Sequence, residues 1–310
     1  MILNLKKYRY HILITLSFII SCYFLNVFIQ GVIALLMILS VGIVHGANDL
    51  QLIQKKTQKK TQTFFLSSLV LYIGVVLLGI ILFYTLPSFG LLFFVAFSSY
   101  HFGEQHLASK LDSTTSSLKR SFIYISYGIA LFGLLFTLQW DQVHQIIYII
   151  SQQFISKQLT EATFFIGLAL FLLSAAVTPS LRTLLIFEVA LLLFIGLLFA
   201  KASLLLGFGV YFVVWHSFPS MQDQLDFLYN DKKNRNWSYL KTSAPYWLIS
   251  LIGLFGVYFF FEIHTWEFLP LFFSFLAAIT FPHTVVMGWL KLSEQKTPEQ
   301  PSAESSIEAK

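Results

Sequence analysis

Charge is what this chain has least of. Charged residues are 11% of its 310 residues, against about 25% in an ordinary soluble domain. So few charges cannot clothe a soluble globule of this size. With 56% hydrophobic residues, they leave a polytopic membrane protein and exclude a disordered chain or a collagen. Cysteine is nearly absent. Cys22 stands alone, so neither an intrachain disulfide nor a cysteine metal cluster can form, and a disulfide-rich secreted scaffold is excluded. Acidic residues are also few, 15 against 20 Lys and Arg, for a net charge of +5. That excess implies no nucleic-acid partner, because the basic residues fall between apolar runs, where they act as topology signals. Also missing is a cleavage site after the first apolar run, His11 to Ile29. That run exceeds the roughly 7–15 residues of a signal-peptide core, so it reads as a first transmembrane helix.

A spanning helix needs about 20 mostly apolar residues. Ten stretches qualify: 11–29, 31–50, 63–85, 88–108, 118–138, 160–178, 181–200, 202–221, 243–262 and 268–290. Turn signals separate several of them, at Gln30-Gly31, Pro87-Ser88 and Pro179-Ser180. Residues 139–159 look like an amphipathic connector lying at the interface. The expected architecture is an all-α membrane bundle of about ten helices, a transmembrane domain over 1–292 with a disordered tail over 293–310. With ten spans the termini share one side. That side collects 18 Lys and Arg, and the other holds only Lys157 and Lys201. The split predicts cytoplasmic termini and a multi-pass protein of the cell inner (plasma) membrane.

Eight histidines punctuate this apolar background. His11, His144 and His264 sit at span edges or outer loops and read as interfacial. His45, His101, His106, His216 and His283 fall in the second, fourth, eighth and tenth spans, each toward the cytoplasmic half. Ionisable residues within a membrane are costly and mark sites. A single one is readily explained as a histidine bonded to a neighbouring hydroxyl; four helices bringing imidazoles to one depth point to a metal site for Zn, Cu, Fe or Ni. Asp49 follows His45 by four residues and Glu104 follows His101 by three, each pair on one helix face. Such carboxylates suit an orienting role, holding a ligand ring through its other nitrogen. His106 is turned about 140° from His101, a poorer partner. Gly42 and Gly46 form a GxxxG spacing that lets another helix backbone come close. Pro219 marks an end or kink after His216, and Pro282 a kink before His283. Phe93, Phe94, Phe97, Tyr211 and Phe212 suit packing or an apolar tunnel. A site buried among helices favours a lipid-soluble substrate arriving from the bilayer; spacing alone does not choose the metal.

At these residues the sequence resembles the Brp/Blh family, the bacterial membrane β-carotene 15,15′-dioxygenases. The matching pieces are Gly-Ile-Val-His45-Gly-Ala-Asn-Asp49-Leu, Ser-Tyr-His101-Phe-Gly-Glu104, Trp215-His216-Ser and Pro282-His283-Thr-Val. They extend over roughly 40–290; each alone is weak, and together, in this order, they are specific. The resemblance implies central oxidative cleavage of β-carotene to two retinal molecules with O2 at a non-haem Fe(II) site. It implies His45, His101 and His216 as iron ligands, and retinal passed to a rhodopsin-type protein. Where the family pattern carries a further histidine four residues after Trp-His, this chain has Ser220. Serine is a poor Fe(II) ligand, so His283 or His106 fills the place, or three histidines suffice, or the site is impaired; His283 is the expected fourth catalytic and metal-site residue, with Asp49 and Glu104 orienting. The rival non-enzymatic reading is a membrane transporter or carotenoid-binding protein without cleavage activity, since intramembrane His, Asp and Glu also line ion pathways. A di-iron hydroxylase is disfavoured because no HxxxH or HxxHH cluster occurs.

Overall fold

In the computed structural model, residues 2–230, 232–260 and 267–294 are described, with side chains from Tyr8 to Leu290. Among them all regular structure is helical. The order is α1 (Ile2–Ser21), α2 (Val27–Met37) continued by a π-helical segment (Ile38–Gly42), α3 (Asp49–Thr57), α4 (Gln62–Thr85), α5 (Pro87–Leu107), α6 (Ser117–Leu138) and α7 (Trp140–Ser151). It continues with α8 (Lys157–Ala176), the single turn α9 (Pro179–Arg182), α10 (Leu185–Lys201), α11 (Leu204–Val210), a second π-helical segment (Tyr211–Ser217), α12 (Phe218–Tyr229), α13 (Arg235–Phe260) and α14 (Phe268–Glu294). First-turn amides lack helical partners, and side-chain oxygens supply them. Asn26 accepts from Ile29 N, Thr61 from Phe64 N, Ser116 from Lys119 N, Ser156 from Leu159 N and Ser203 from Leu206 N. Pro87, needing no amide partner, opens α5.

Among the described residues six helices are long and apolar enough to cross a membrane: Gln62–Thr85, Ser117–Leu138, Lys157–Ala176, Leu204–Tyr229, Arg235–Phe260 and Phe268–Leu290. Val27–Gly42 is apolar but shorter. The other expected spans lie on α1, α5 and α10. Lys6, Lys7 and Arg9 crowd the first half of α1, the polar run Ser98–His106 interrupts α5, and α10 has 17 residues.

Several boundaries differ from expectation: α12 runs on to Tyr229 and α13 starts already at Arg235, where spans 202–221 and 243–262 were expected. The first span does not run to Ile29: α1 ends at Ser21, and Asn26 caps a new helix at Val27. Gln30, expected at a turn, sits inside α2, where its amide donates to Leu25 O and accepts from Ser203 N. The connector at 139–159 is helical over Trp140–Ser151 and stops at Gln152, whose φ of 56° is left-handed. His264 and the expected tail beyond Glu294 lie outside the described residues.

The continuous rod α11–π–α12 is buried along most of its length, whereas few residues of α4 and α13 are fully buried. Leu77, Ile80, Ile249 and Phe259 are each at least 50% exposed. An apolar exterior of this extent is what contact with lipid requires. Inside, α5 and α6 cross at backbone contact: a Cβ on Gly103 would strike the Tyr124 carbonyl, and one on Gly128 the Ser99 carbonyl. Gly133 and Gly167 do the same between α6 and α8. Without a hydrophobic driving force between helices in lipid, such small-residue crossings carry the packing. They fix α5, and with it His101.

Candidate functional site

Two departures from regular α-helix build the site. The Ile38–Gly42 segment delivers His45 three residues later, and the Tyr211–Ser217 segment contains His216. A π-helical turn winds one extra residue into the coil and re-aims the side chains after it; such turns concentrate at functional sites. The two segments meet at Gly42, where a Cβ would come within 2.8 Å of the Phe212 ring. The Gly42/Gly46 pair therefore admits side chains, Phe212 and His283, rather than the expected helix backbone. The helix does not continue through His45 either: residues 45–48 form turns before α3 starts at Asp49. Pro219 lies in the first turn of α12, directly after the π-helical segment, and Pro282 is accommodated inside a continuous α14.

His45, His101, His216 and His283 come together as a closed ring. Their ring centres are 5.3 Å apart for His45 and His216, 4.7 Å for His216 and His101, 5.1 Å for His101 and His283, and 4.8 Å for His283 and His45. Adjacent planes cross at 77–90°. All four are at most 5% exposed. With metal–nitrogen bonds of about 2.0–2.1 Å, imidazoles sharing an ion have ring centres roughly 4.5–5.5 Å apart. As the side chains stand, no three His, Cys, Asp or Glu among the described residues form a set that could hold an ion. A half-turn about the Cβ–Cγ bond exchanges Nδ1 with Cδ2 and Nε2 with Cε1 without moving the ring, so the spacing of the rings, fixed by the backbone, is the durable feature.

Hydrogen bonds set two tautomers. The His45 Nδ1–H donates to the Gly42 carbonyl. The His283 Nδ1–H donates to the Asp49 carboxylate, at 2.9 and 3.1 Å. A carbonyl and a carboxylate only accept, so both protons sit on Nδ1 and both Nε2 atoms keep lone pairs. Those two Nε2 atoms are buried and have no hydrogen-bond partner among the described residues. Buried lone pairs backed by a fixed Nδ1–H suit a metal. His216 stacks on Phe102, ring centres 4.1 Å apart, with Phe212 parallel to it at 5.6 Å.

Asp49 holds His283 and accepts from Tyr72 OH at 2.9 Å, instead of pairing with His45 four residues earlier. The chain turns between His45 and Asp49, so the shared helix face does not exist. Glu104 Oε2 lies 4.0 Å from His101 Nδ1, and Tyr100 OH donates to Glu104 Oε1 at 3.4 Å. Ser220 is fully buried and accepts from Gln224 Nε2, which also donates to the His45 carbonyl. Tyr239 OH donates to Gln224 Oε1 at 2.9 Å. Tyr72, Gln224 and Tyr239 carry no sequence signal, since each reaches the site across more than one element.

Of the two candidates for the fourth place, His283 stands in the ring and His106 does not. His106 Nε2 is 2.7 Å from Glu188 Oε2 on α10, Lys110 Nζ is 2.7 Å from Glu188 Oε1, and the His106 ring stacks on Tyr127. Glu188 was legible as the lone acid of the 181–200 stretch, and sequence reasoning passed over it. His11 packs against Tyr8 and Trp215. His144 bonds the Trp140 carbonyl and stacks on the same tryptophan.

The four histidines line a cavity of about 600 Å³ whose remaining wall is almost entirely apolar and comes mostly from α4, α13 and α14. Of the aromatic residues expected near a tunnel, Phe212 lines it; Phe93, Phe94, Phe97 and Tyr211 do not. A family model described as beta-carotene 15,15'-dioxygenase matches residues 36–291. No curated protein and no solved structure matches the chain.

Proposed function

We propose, from the premise that this chain belongs to the beta-carotene 15,15'-dioxygenase family of carotenoid-cleaving enzymes, that it cleaves β-carotene centrally with O2 at a non-haem Fe(II) site ringed by His45, His101, His216 and His283. The observation that carries this is the ring of four buried imidazoles lining an apolar cavity. The reaction balances on O2 alone. The central double bond and the O–O bond break, and each half receives one oxygen atom as an aldehyde. No external reductant is needed and no proton is left over.

An all-imidazole set suits Fe(II), which when bound supplies the activation of O2 that the polyene itself lacks. The protein's own groups do the rest. Gly42 and Asp49 keep the Nδ1 protons of His45 and His283 in place, leaving Nε2 to bind. Phe102 and Phe212 hold the His216 ring in its plane. The apolar wall binds the polyene and excludes water, which protects reactive species from side reactions. Ten spans, cytoplasmic termini and a cell inner-membrane location belong to this reading, supported by the 18-to-2 split of Lys and Arg. So does delivery of retinal to a rhodopsin-type protein, supported by the chemistry of the product.

The test is expression in β-carotene-accumulating bacteria, with and without an iron chelator, and chromatography for retinal. Iron-dependent loss of carotene with retinal appearing is expected. His45→Ala, His101→Ala, His216→Ala and His283→Ala are each expected to abolish retinal while inserting normally, and His144→Ala to leave it unchanged. Intact carotene beside well-inserted wild-type protein overturns cleavage and leaves a carotenoid-binding protein or a transporter. Full activity in His216→Ala overturns the metal ring.

A further inference from the structure

The break between the first π-helical segment and α3 leaves the His45 carbonyl without its helical donor. In a continuous helix the Asp49 amide would bond it. Here residues 45–48 form turns, and the Asp49 amide reaches the Gly46 carbonyl instead, at 3.4 Å. Buried backbone carbonyls are nearly always paired. The donor to this one is a side chain: Gln224 Nε2 of α12, at 2.8 Å and 179 positions away.

That glutamine is itself fixed. Its Nε2 also donates to Ser220 Oγ at 3.3 Å, one turn back on α12, and its Oε1 accepts from Tyr239 OH of α13 at 2.9 Å. A carbonyl only accepts, so Nε2 must face His45 and Oε1 must face Tyr239. The Tyr239 hydroxyl lies 3.3 Å from the His45 carbonyl as well, but it has one proton, and the shorter contact takes it. The far end of the turn is tied to the same tyrosine, since Asn48 Nδ2 donates to the Tyr239 carbonyl at 3.2 Å. Asn48, Ser220, Gln224 and Tyr239 are at most 2% exposed. His45, Gly46 and Ala47 line the cavity, whereas Ser220, Gln224 and Tyr239 stand outside it. The turn is thus gripped from behind.

Resting on the metal-site reading above, we propose that Gln224 and Tyr239 are positioning residues for His45, clamping the turn 45–48 so that its imidazole meets the other three. The Gly42 carbonyl sets the rotation of the His45 ring. The clamp sets where the backbone beneath it stands, at the one point where the chain has no helical register to do so. A site of this kind must be held within about 0.5 Å of its working geometry. Standing outside the cavity, neither residue touches the substrate.

The test is titration of Co(II), a spectroscopic stand-in for Fe(II), into the purified metal-free protein, beside turnover of β-carotene. Gln224→Met keeps the length of the side chain and removes the amide. Co(II) binding is expected to weaken 10–100-fold, the usual loss when a partner behind a metal ligand is removed, with altered ligand-field bands in the protein that still binds. kcat is expected to fall while KM for β-carotene stays, because the substrate does not meet the clamp. Tyr239→Phe leaves the bond from Gln224 to His45 in place, and its expected loss is a few-fold. Tyr229→Phe is the control. Its hydroxyl also ties α12 to α13, 2.8 Å from Thr242 Oγ1, but does not reach the turn. It is expected to lower the unfolding midpoint and leave Co(II) affinity and bands as in wild type. Wild-type affinity and bands in folded Gln224→Met overturn the proposal, as does a Tyr229→Phe that weakens Co(II) binding as much. Should Gln224→Met fail to fold, Tyr239→Phe carries the test, and unchanged affinity and bands there overturn it. No Co(II) binding by wild type overturns the metal ring instead, so the two failures are distinct.

Discussion

Asp49 gathers partners from three elements. It opens α3, takes the His283 Nδ1–H from α14 and the Tyr72 hydroxyl from α4. An aspartate so placed fixes the ring's tautomer and its angle, and losing such a partner typically lowers metal affinity or activity 10–100-fold. Asp49→Asn keeps the size and removes the charge. Its expected effect is a 10–100-fold fall in both iron affinity and retinal formation, read by iron titration of the purified protein and by turnover. Glu188 is another buried acid, with two nitrogen partners, His106 and Lys110, and it lies apart from the ring. Removing one member of a buried pair strands the other charge, at a cost of roughly 3–5 kcal/mol. Glu188→Ala is expected to lower the thermal midpoint in detergent markedly, and Glu188→Gln less. A midpoint equal to wild type would show that the cluster contributes nothing to stability.

Among the helices, the α5–α6 crossing decides where His101 stands. Gly103 and Gly128 let the two backbones touch, and no side chain larger than hydrogen fits at either place. Overpacking a closed contact costs about 1–3 kcal/mol, or more where backbone must move. Gly128→Leu is expected to depress both the unfolding midpoint and retinal formation, because α5 must retreat and carry His101 out of the ring. Gly256→Leu, facing open space on α13, is expected to change neither. The comparison separates close packing from the general cost of replacing glycine within a helix.

For the whole molecule, the apolar exterior and the position of the site share one explanation. The outermost helices α4 and α13 face lipid and line the cavity, while the buried rod α11–π–α12 carries His216 at its centre. On the proposed ten-span topology, the charge split predicts both termini on the cytoplasmic face. Reporter fusions at Met1 and Lys310 are expected to be active only as cytoplasmic reporters, and a fusion within 152–156 only on the opposite face. Termini on opposite faces would require an odd number of spans and overturn the ten-span topology.

Composition alone determined that this is a helical membrane protein, because 11% charge leaves no other solvent for so many apolar side chains. Local motifs picked out His45, His101, His216 and His283, since polar residues inside apolar runs are conspicuous on a one-dimensional scan. What the sequence left open was pairing. His283 and His106 were both candidates until the fold brought one to the ring and the other to Glu188. Asp49 stood a helical turn from His45, yet the chain turns between them, and it bonds a histidine 234 positions away. The two π-helical segments have no residue signature, because one extra residue in a coil is stabilised by its packing partners, here Phe212 on Gly42. Ring closure, tautomer and cavity depend on contacts between distant segments, and those contacts exist only once the helices have packed.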